Sequence, residues 1–224
     1  MNNIKKDFSL MTILLIPVAI ALNVVGGQIA AALALPLYID SIGTIMAGIL
    51  AGPWVGLVTG VLSNVINGIF QPNFFPFAIV SGIIGLVSGF LSRKEMFTKW
   101  WKIVVSILCV TLVGVIVGSP IVMYVYGGIT GTGSTYITAL MMAAGQNMLT
   151  SVFTSQVFTE IADKGLSIVL AYIIIRAMSD RILVKYPCGA QFMKHQAKVA
   201  VSAPSGVAPT AINAEKLDLS DDQQ

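Results

Sequence analysis

Long uninterrupted apolar stretches are the feature that most constrains how this chain can fold. Residues 103–123 and 166–175 contain no charged side chain, and about 20 such residues suffice for a helix to cross a bilayer. Charged residues make up 10% of the sequence, whereas soluble domains carry about 25%. The sequence therefore predicts an all-α integral membrane protein, because helices satisfy their own backbone groups in lipid.

The number of spans depends on how one long apolar block is divided. The apolar blocks lie at 9–31, 36–70, 76–92, 102–125 and 161–184. The block 36–70 is too long for a single crossing of a core of about 30 Å. Gly52-Pro53 is the natural break, because proline disfavours helix at the preceding residue and begins helices well. This break predicts six transmembrane helices.

The positions of the basic residues test that count. Six spans place the following side chains on one side, together with both termini: Lys5, Lys6, Arg93, Lys94, Lys99, Lys102, Arg176, Arg181 and Lys185. Lys and Arg accumulate on the cytoplasmic side of membrane proteins, so we expect both termini to be cytoplasmic. Only Lys164 is left on the opposite side.

The chain is divided into a membrane domain, 1–186, and a tail, 187–224. The segment 136–160 is apolar but interrupted by amides and a carboxylate, and we expect it to lie on the outer side of the bundle, ahead of the last span. The tail is rich in Pro, Ser, Ala and acidic residues without periodicity. This composition predicts a disordered cytoplasmic segment.

Small residues recur at every fourth position in three helices. The stripes are Gly52, Gly56, Gly60, Asn64 and Gly68; Ser81, Gly85 and Gly89; and Gly114 and Gly118. Such residues let helices approach closely in lipid. The stripes indicate packing seams inside the bundle, or a face that contacts a partner subunit.

The sequence offers little for catalysis. The single histidine, His195, lies in the tail, and Cys109 and Cys188 are too few and too far apart to indicate a metal site. Motifs for a nucleophile, a metal cage or a phosphate loop are missing from the sequence. We therefore expect neither an enzyme nor a cofactor, and a net charge of +3 gives no indication of nucleic-acid binding.

Polar side chains cluster at one level of the predicted bundle, in its outer half. They are Tyr38, Asp40, Asn64, Asn67, Gln71, Asn73, Tyr124, Tyr126, Gln146, Asn147, Ser151, Thr154, Gln156, Glu160 and Asp163. Their convergence predicts a pocket for a small polar molecule with apolar walls. Structural roles remain open: Asp40 as a helix cap, Asn64 and Asn67 as interhelical hydrogen-bond partners, and Glu160 and Asp163 as caps of the last helix with Lys164 as a neighbouring ion.

Three stretches resemble a known family. They are YIDSIGTIMAGILAGPWVGLVTGVLSNVI at 38–66, NFFPFAIVSGIIGLVSGFL at 73–91 and EIADKGLSIVLAYIII at 160–175. Together they are similar to the substrate-binding S components of energy-coupling-factor (ECF) transporters. The resemblance covers about 30–186, and the Gly-Pro-Trp-Val-Gly element at 52–56 is its most specific part.

The resemblance implies a binding function in which the chain itself catalyses no reaction. It implies a multi-pass subunit of the prokaryotic plasma membrane that captures a vitamin or related micronutrient on the outer side. The subunit would then dock on a membrane coupling subunit with two ATPase subunits, which supply the energy.

The resemblance also implies site residues. Substrate-binding candidates are Tyr38, Asp40, Asn67, Asn73, Phe77, Gln146, Asn147, Gln156, Glu160 and Asp163. Candidates for contact with the coupling subunit are Ala19, Gly26, Gly27 and Ala30. The vitamin stays open: NFFPF at 73–77 is similar to the Phe-Pro-Gly-Phe element of folate binders, and cobalamin or pyridoxine is equally compatible.

Two other functions stay open. A self-contained secondary transporter would show inverted repeats and ion-coupling carboxylates near the membrane midplane, whereas Asp40, Glu160 and Asp163 map near the outer surface. A non-transporting membrane module would use the polar cluster only to hold its helices together.

Overall fold

The computed structural model describes residues 7–131 and 133–193, and within these ranges the regular structure is helical, without strands. The α-helices are α1 Leu10–Ala32, α2 Ile42–Ala51, α3 Pro53–Phe70, α4 Ala78–Arg93, α5 Trp100–Tyr124, α6 Gly133–Ala143, α7 Met148–Ala177 and α8 Asp180–Leu183. Short 3-10 helices occupy Pro72–Phe74 and Gly189–Phe192. The predicted all-α architecture is confirmed for the part of the chain that the structure describes.

Helices α1, α3 and α5 are long and apolar enough to cross a membrane, judged by length and composition. The outward face of α5 carries Leu108, Leu112 and Ile116, each 58–59% exposed. These residues recur every fourth position, so they form one apolar stripe that no other helix covers within residues 7–131 and 133–193. A stripe of this kind suits contact with lipid, in agreement with an integral membrane protein.

The predicted break in the block 36–70 is present. Helix α2 ends at Ala51 and α3 begins at Pro53, with Gly52 between them at a φ of 102°. This positive φ is costly for residues with a side chain. A Cβ at Gly52 would also lie 2.8 Å from the carboxylate oxygens of Asp7, so both backbone and space require glycine here.

Helix α2 is the centre of the bundle, since all ten of its residues are buried. Its ends are completed by other elements. The Gly43 amide donates to Asn23 Oδ1 at 2.6 Å. At the other end, the Ile49 carbonyl accepts from Ser92 Oγ at 2.6 Å, and the Leu50 carbonyl accepts from the Cys188 amide at 3.0 Å. These bonds satisfy backbone groups that a helix leaves unpaired at its termini.

Helices α3 and α4 approach each other through glycine. A Cβ on Gly56 would collide with the Gly85 carbonyl, and a Cβ on Gly85 would collide with the Gly56 carbonyl. A third close approach joins Gly60 to the backbone of Ser81. The stripes on α3 and α4 are therefore packing seams within the molecule.

The two ends of the bundle differ. One end, called the pocket end, is formed by loops 33–41, 71–77 and 125–131. The other, called the basic end, carries Arg93 and the loop 94–99 and receives the chain after α7. At the basic end Arg93 forms an ion pair with buried Asp7, with 2.6 Å between the guanidinium and Oδ1.

The predicted boundary at 160–161 is wrong. Helix α7 continues from Met148 to Ala177, and its first turn is capped by Asn147, which accepts from the Thr150 amide at 2.9 Å. Polar residues in this region do not interrupt the helix, because Gln156, Glu160, Asp163 and Lys164 recur three or four positions apart and share its buried face. The preceding apolar residues form the separate helix α6.

The ordered chain also continues past residue 186. Residues 189–192 form a 3-10 helix in which Phe192 is buried, and Gln191 Nε2 donates to Ser92 Oγ at 2.8 Å. The predicted disordered tail therefore does not begin at 187, because these residues fill the basic end beside α2 and α4. Its remainder, 194–224, lies outside the described residues.

Candidate substrate-binding site

A cavity, called the polar cavity, lies at the pocket end between the loop before α2 and helices α3, α4 and α7, and it has a volume of about 40 Å³. Its polar lining is Tyr38, Asp40, Ser41, Asn64, Asn73, Ser81, Thr130, Glu160 and Lys164. Its apolar lining is Phe74, Phe77, Val80 and Ile84. Few convergent polar groups set against apolar walls are typical of small-molecule sites.

A second cavity, called the loop cavity, adjoins the first and has a volume of about 350 Å³. It lies against the last turns of α1 and the loop that follows, and it shares Tyr38 and Phe74 with the polar cavity. These two aromatic side chains are the common wall. The volume of the loop cavity lies in the range of ligand sites, about 300–1,000 Å³.

Asp163 and Lys164 fasten the loop before α2 to helix α7. Asp163 Oδ1 accepts from the amides of Tyr38 at 2.9 Å and Ile39 at 2.7 Å. Its other oxygen accepts from Lys164 Nζ at 2.6 Å, and the same ammonium donates to Ser41 Oγ at 2.9 Å. Burial of this ion pair is tolerable because each charge has close partners. Asp163 thus holds the loop in place.

Other polar atoms at the cavity lack partners. Asn64 Oδ1, Ser81 Oγ and Glu160 Oε2 are buried and make no hydrogen bond with any described residue. Glu160 Oε2 lies 3.7 Å from Lys164 Nζ, an ion-pair distance that is too long for a hydrogen bond. An unpartnered buried polar atom costs about 1–3 kcal/mol, so these atoms mark a place where a ligand can supply the missing bonds.

The loops after α3 and α5 form the aromatic side of the site. Asn73 Nδ2 donates to the Thr130 carbonyl at 2.8 Å, and the Tyr126 hydroxyl donates to the Asn73 carbonyl at 2.9 Å. The rings of Phe77 and Tyr126 stack with 5.9 Å between centroids and 2° between planes. These contacts hold Phe77 against the cavity with its ring orientation fixed.

The structure brings half of the predicted substrate-binding set to the polar cavity: Tyr38, Asp40, Asn73, Phe77 and Glu160. Gln156 accepts from the Tyr38 hydroxyl at 3.3 Å from outside the cavity lining. Asn67 is fully buried beside Gly27: a Cβ added at Gly27 would lie 3.4 Å from Asn67 Nδ2. It does not line the cavity.

Gln146 and Asn147 are exposed in the turn between α6 and α7. Their polarity serves that turn, because Asn147 caps α7. They are not brought to the cavity.

The predicted contacts with a coupling subunit face inward. Ala19, Gly27 and Ala30 are buried, and Gly26 is half-buried. A Cβ on Gly26 would collide with the Ile39 carbonyl, and the Ala19 backbone lies directly against Gly43. These small residues serve close packing of α1 on the molecule's own α2 and loop, and are not presented to a partner in this structure.

Sequence reasoning left Ser41, Phe74, Ser81 and Lys164 out of the site. Lys164 was detectable, as the one basic residue that the topology places on the outer side, four positions after Glu160. Ser81 belongs to a small-residue stripe, so its hydroxyl was hidden by the packing pattern. Within the described residues no group of three or more His, Cys, Asp or Glu side chains is arranged to hold a metal ion.

Comparison with known proteins gives one match. Residues 11–175 match the family model described as ECF transporter, substrate-specific component. Neither the curated proteins nor the solved structures give a match to the chain. The family match covers helices α1 to α6 and nearly all of α7.

Proposed function

The chain belongs to the family of ECF transporter substrate-specific components, and we propose that it is the high-affinity binding subunit for uptake of a vitamin or related micronutrient. The observation that carries this proposal is the polar cavity, whose lining residues Asn64, Ser81 and Glu160 each have a buried oxygen that makes no hydrogen bond within the described residues. A binding subunit needs such groups ready for a ligand, whereas helix packing alone is better served by paired ones.

The proposed topology has six spans, formed by α1 to α5 and α7, with both termini in the cytoplasm of a prokaryotic cell. Support comes from the basic end, where Arg93, Lys94, Lys99, Arg176 and Arg181 accumulate. The pocket end would then face outward, so the cavity would receive substrate from outside the cell. Helix α2, about 15 Å long, would cross only part of the bilayer and be enclosed by its neighbours.

Energy would come from a separate module of one membrane coupling subunit and two ATPase subunits. The family supports this assembly, since a substrate-specific component is one part of a larger transporter. The subunit itself would bind and release the substrate unchanged.

Reconstitution tests the proposal. The full chain is purified in detergent, and a panel of labelled vitamins is measured by equilibrium dialysis. We expect saturable binding of one vitamin class. In vesicles, we expect uptake of that vitamin only when the coupling subunit, the ATPase subunits and ATP are present. Uptake by the chain alone would instead favour a secondary transporter, and no binding across the panel would contradict the binding role.

Labelling with a membrane-impermeant maleimide tests the topology. Cys109 and Cys188 are first replaced by serine, and single cysteines are placed at exposed Gln146 and exposed Lys94. In intact cells we expect labelling of the Gln146→Cys variant but not of the Lys94→Cys variant, which should react only after permeabilisation. The reverse pattern would contradict the proposed orientation.

A further inference from the structure

The lining of the polar cavity contains more carboxyl groups than basic groups. Within the described chain, its lining includes two carboxylates, Asp40 and Glu160, and one ammonium, Lys164. All three side chains are at least nine-tenths buried, with exposures of 8%, 4% and 3%. In such surroundings, each charge must be matched by an opposite charge or by several hydrogen bonds.

The ammonium group of Lys164 already has two anionic partners. Lys164 Nζ lies 2.6 Å from Asp163 Oδ2 and 3.7 Å from Glu160 Oε2. The closest anionic partner of Lys164 is therefore Asp163, which does not line the cavity. Asp40 has no basic nitrogen within 4.0 Å among the described residues, and its Oδ1 accepts the Ser41 hydroxyl at 2.9 Å. The cavity lining therefore holds one carboxylate more than Lys164 can balance, and that ammonium is shared with Asp163.

The atoms without partners indicate the same polarity. Glu160 Oε2 and Asn64 Oδ1 are acceptors on side chains that line the cavity, and both are buried and make no hydrogen bond within the described residues. A ligand that satisfies them must bring N–H or O–H groups. Hydrogen bonds to a charged acceptor are roughly twice as strong as neutral ones, so a donor that is itself positively charged gains most.

The apolar lining and the dimensions limit the rest of the ligand. Phe74 and Phe77 supply flat walls, and aromatic faces favour both ring stacking and cations. A volume of about 40 Å³ holds only a small polar group. The larger loop cavity, beyond Tyr38 and Phe74, has room for a ring.

We propose that the ligand is a small aromatic heterocycle bearing a positively charged nitrogen substituent, and that this substituent binds between Asp40 and Glu160. This inference rests on the proposed function and specifies its substrate class. It excludes ligands that would place a carboxylate or phosphate in the polar cavity, because a third negative charge there would be strongly disfavoured.

Three compounds that share one ring test the charge preference. Pyridoxamine carries an ammonium, pyridoxine a neutral hydroxyl and 4-pyridoxic acid a carboxylate at the corresponding position. Thiamine is added as a permanently cationic heterocycle, with nicotinamide and nicotinate as a neutral and anionic pair. Each is measured by equilibrium dialysis against the full chain. We expect a cationic compound to bind at least about tenfold tighter than any anionic one, a difference of about 1.4 kcal/mol.

The outcomes separate the inference from the proposed function. Tight binding of an anionic or neutral compound, with the cations weaker, would overturn the charge inference and leave the binding role intact. Preference for the neutral compound would indicate that protonation of a carboxylate, rather than the ligand, neutralises the cavity. Absence of binding by every compound, in this set and in the vitamin panel, would contradict both.

Isosteric variants test whether the carboxylates of Asp40 and Glu160 cause the preference for a cationic ligand. Asp40→Asn and Glu160→Gln each remove one negative charge at constant size. We expect the affinity ratio of pyridoxamine to pyridoxine, or of thiamine to nicotinamide, to fall at least about fivefold in each variant. A ratio does not depend on the fraction of folded protein, so partial unfolding cannot imitate the result. Glu95→Gln, at an exposed position in the loop after α4, is the matched control and should leave the ratio unchanged. An unchanged ratio in both cavity variants would overturn the proposal.

Discussion

Two sets of buried polar side chains in this molecule differ in whether their hydrogen bonds are complete. In the first, called the paired set, Asn23 Nδ2 donates to Thr44 Oγ1 and Ser63 Oγ, each at 2.8 Å, and Asp163 is bonded to Lys164. In the second, called the open set, Asn64, Ser81 and Glu160 each retain a buried atom that makes no hydrogen bond within the described residues. Helices α3 and α7 carry members of both sets.

The difference in hydrogen bonding distinguishes side chains that stabilise the fold from side chains available to a ligand. Asn23 joins α1 to α2 and α3, and Asp163 joins α7 to the loop before α2, so the paired set fixes how the elements meet. The open set lines a cavity, where completing those bonds inside the protein would remove the reason to bind a ligand. Loss of a paired side chain should therefore lower stability, and loss of an open one should lower affinity.

The largest effect is expected at Lys164. Lys164→Met removes the ammonium and leaves the carboxylate of Asp163 buried without its cation. Breaking a buried pair in this way costs about 3–5 kcal/mol. We expect a much lower midpoint of thermal unfolding, measured in detergent by size-exclusion chromatography after heating. Lys94→Met, at an exposed position, is the control, and equal midpoints for the two variants would contradict a paired role for Lys164.

A somewhat smaller loss is expected at Asn23. Asn23→Leu keeps the size of the side chain but removes its bonds to Thr44, Ser63 and the Gly43 amide. Hydrogen bonds between membrane helices are worth about 0.6 kcal/mol each on average, and up to about 1.7 kcal/mol. We expect a loss of about 2–3 kcal/mol in the free energy of unfolding. Exposed Gln146→Leu provides the comparison, and a midpoint equal to that of the unaltered protein would assign Asn23 to the open set.

Asn64→Leu should show the opposite behaviour. Removal of an unpartnered buried oxygen relieves a desolvation cost, so the unfolding midpoint should stay unchanged or rise. Ligand binding should weaken by about tenfold, since a hydrogen bond to a buried amide is lost. Midpoint and affinity are measured on the same preparation. A fall in stability as large as that of Asn23→Leu would erase the distinction between the two sets.

The smallest effect is expected at a glycine pair on α5. A Cβ on Gly114 would meet Glu160 Oε2, whereas a Cβ on Gly118 would lie 3.5 Å from Gln156 Nε2, an ordinary contact. Gly114→Ala should therefore move the Glu160 carboxylate and weaken binding by about threefold to tenfold, while Gly118→Ala should leave it unchanged. Equal affinities in the two variants would indicate that the position of Glu160 is not critical for the ligand.

The sequence predicted the class of fold and the break at Gly52-Pro53 because both depend on local properties, namely apolar length and the conformations of glycine and proline. It predicted that Tyr38, Asp40 and Glu160 would share a level because topology alone sets depth. It could not separate Asp163 from Glu160, since both are acidic and lie one turn apart on α7. Only the fold shows that Asp163 binds loop amides while Glu160 faces a cavity.

The same limit explains the continuous α7. Polar residues in 146–164 resemble an interruption when the helix is expected to face lipid. They fit one helix when the face that carries them is buried by α2 and α5. The orientation of Ala19 and Gly27 was likewise undetermined, because small residues suit an inner seam as well as an outer face.

Completion of α2 by distant residues has a consequence for biogenesis. A segment of ten residues rises about 15 Å, roughly half of the bilayer core, so the insertion machinery cannot release α2 into lipid as an independent unit. It would enter together with α3 as a hairpin bent at Gly52. Because the Leu50 carbonyl is bonded by the Cys188 amide, the core of the bundle closes only after nearly all of the described chain has been synthesised. A nascent chain halted before that point would expose the end of its central helix, where quality-control proteases of the membrane can detect it.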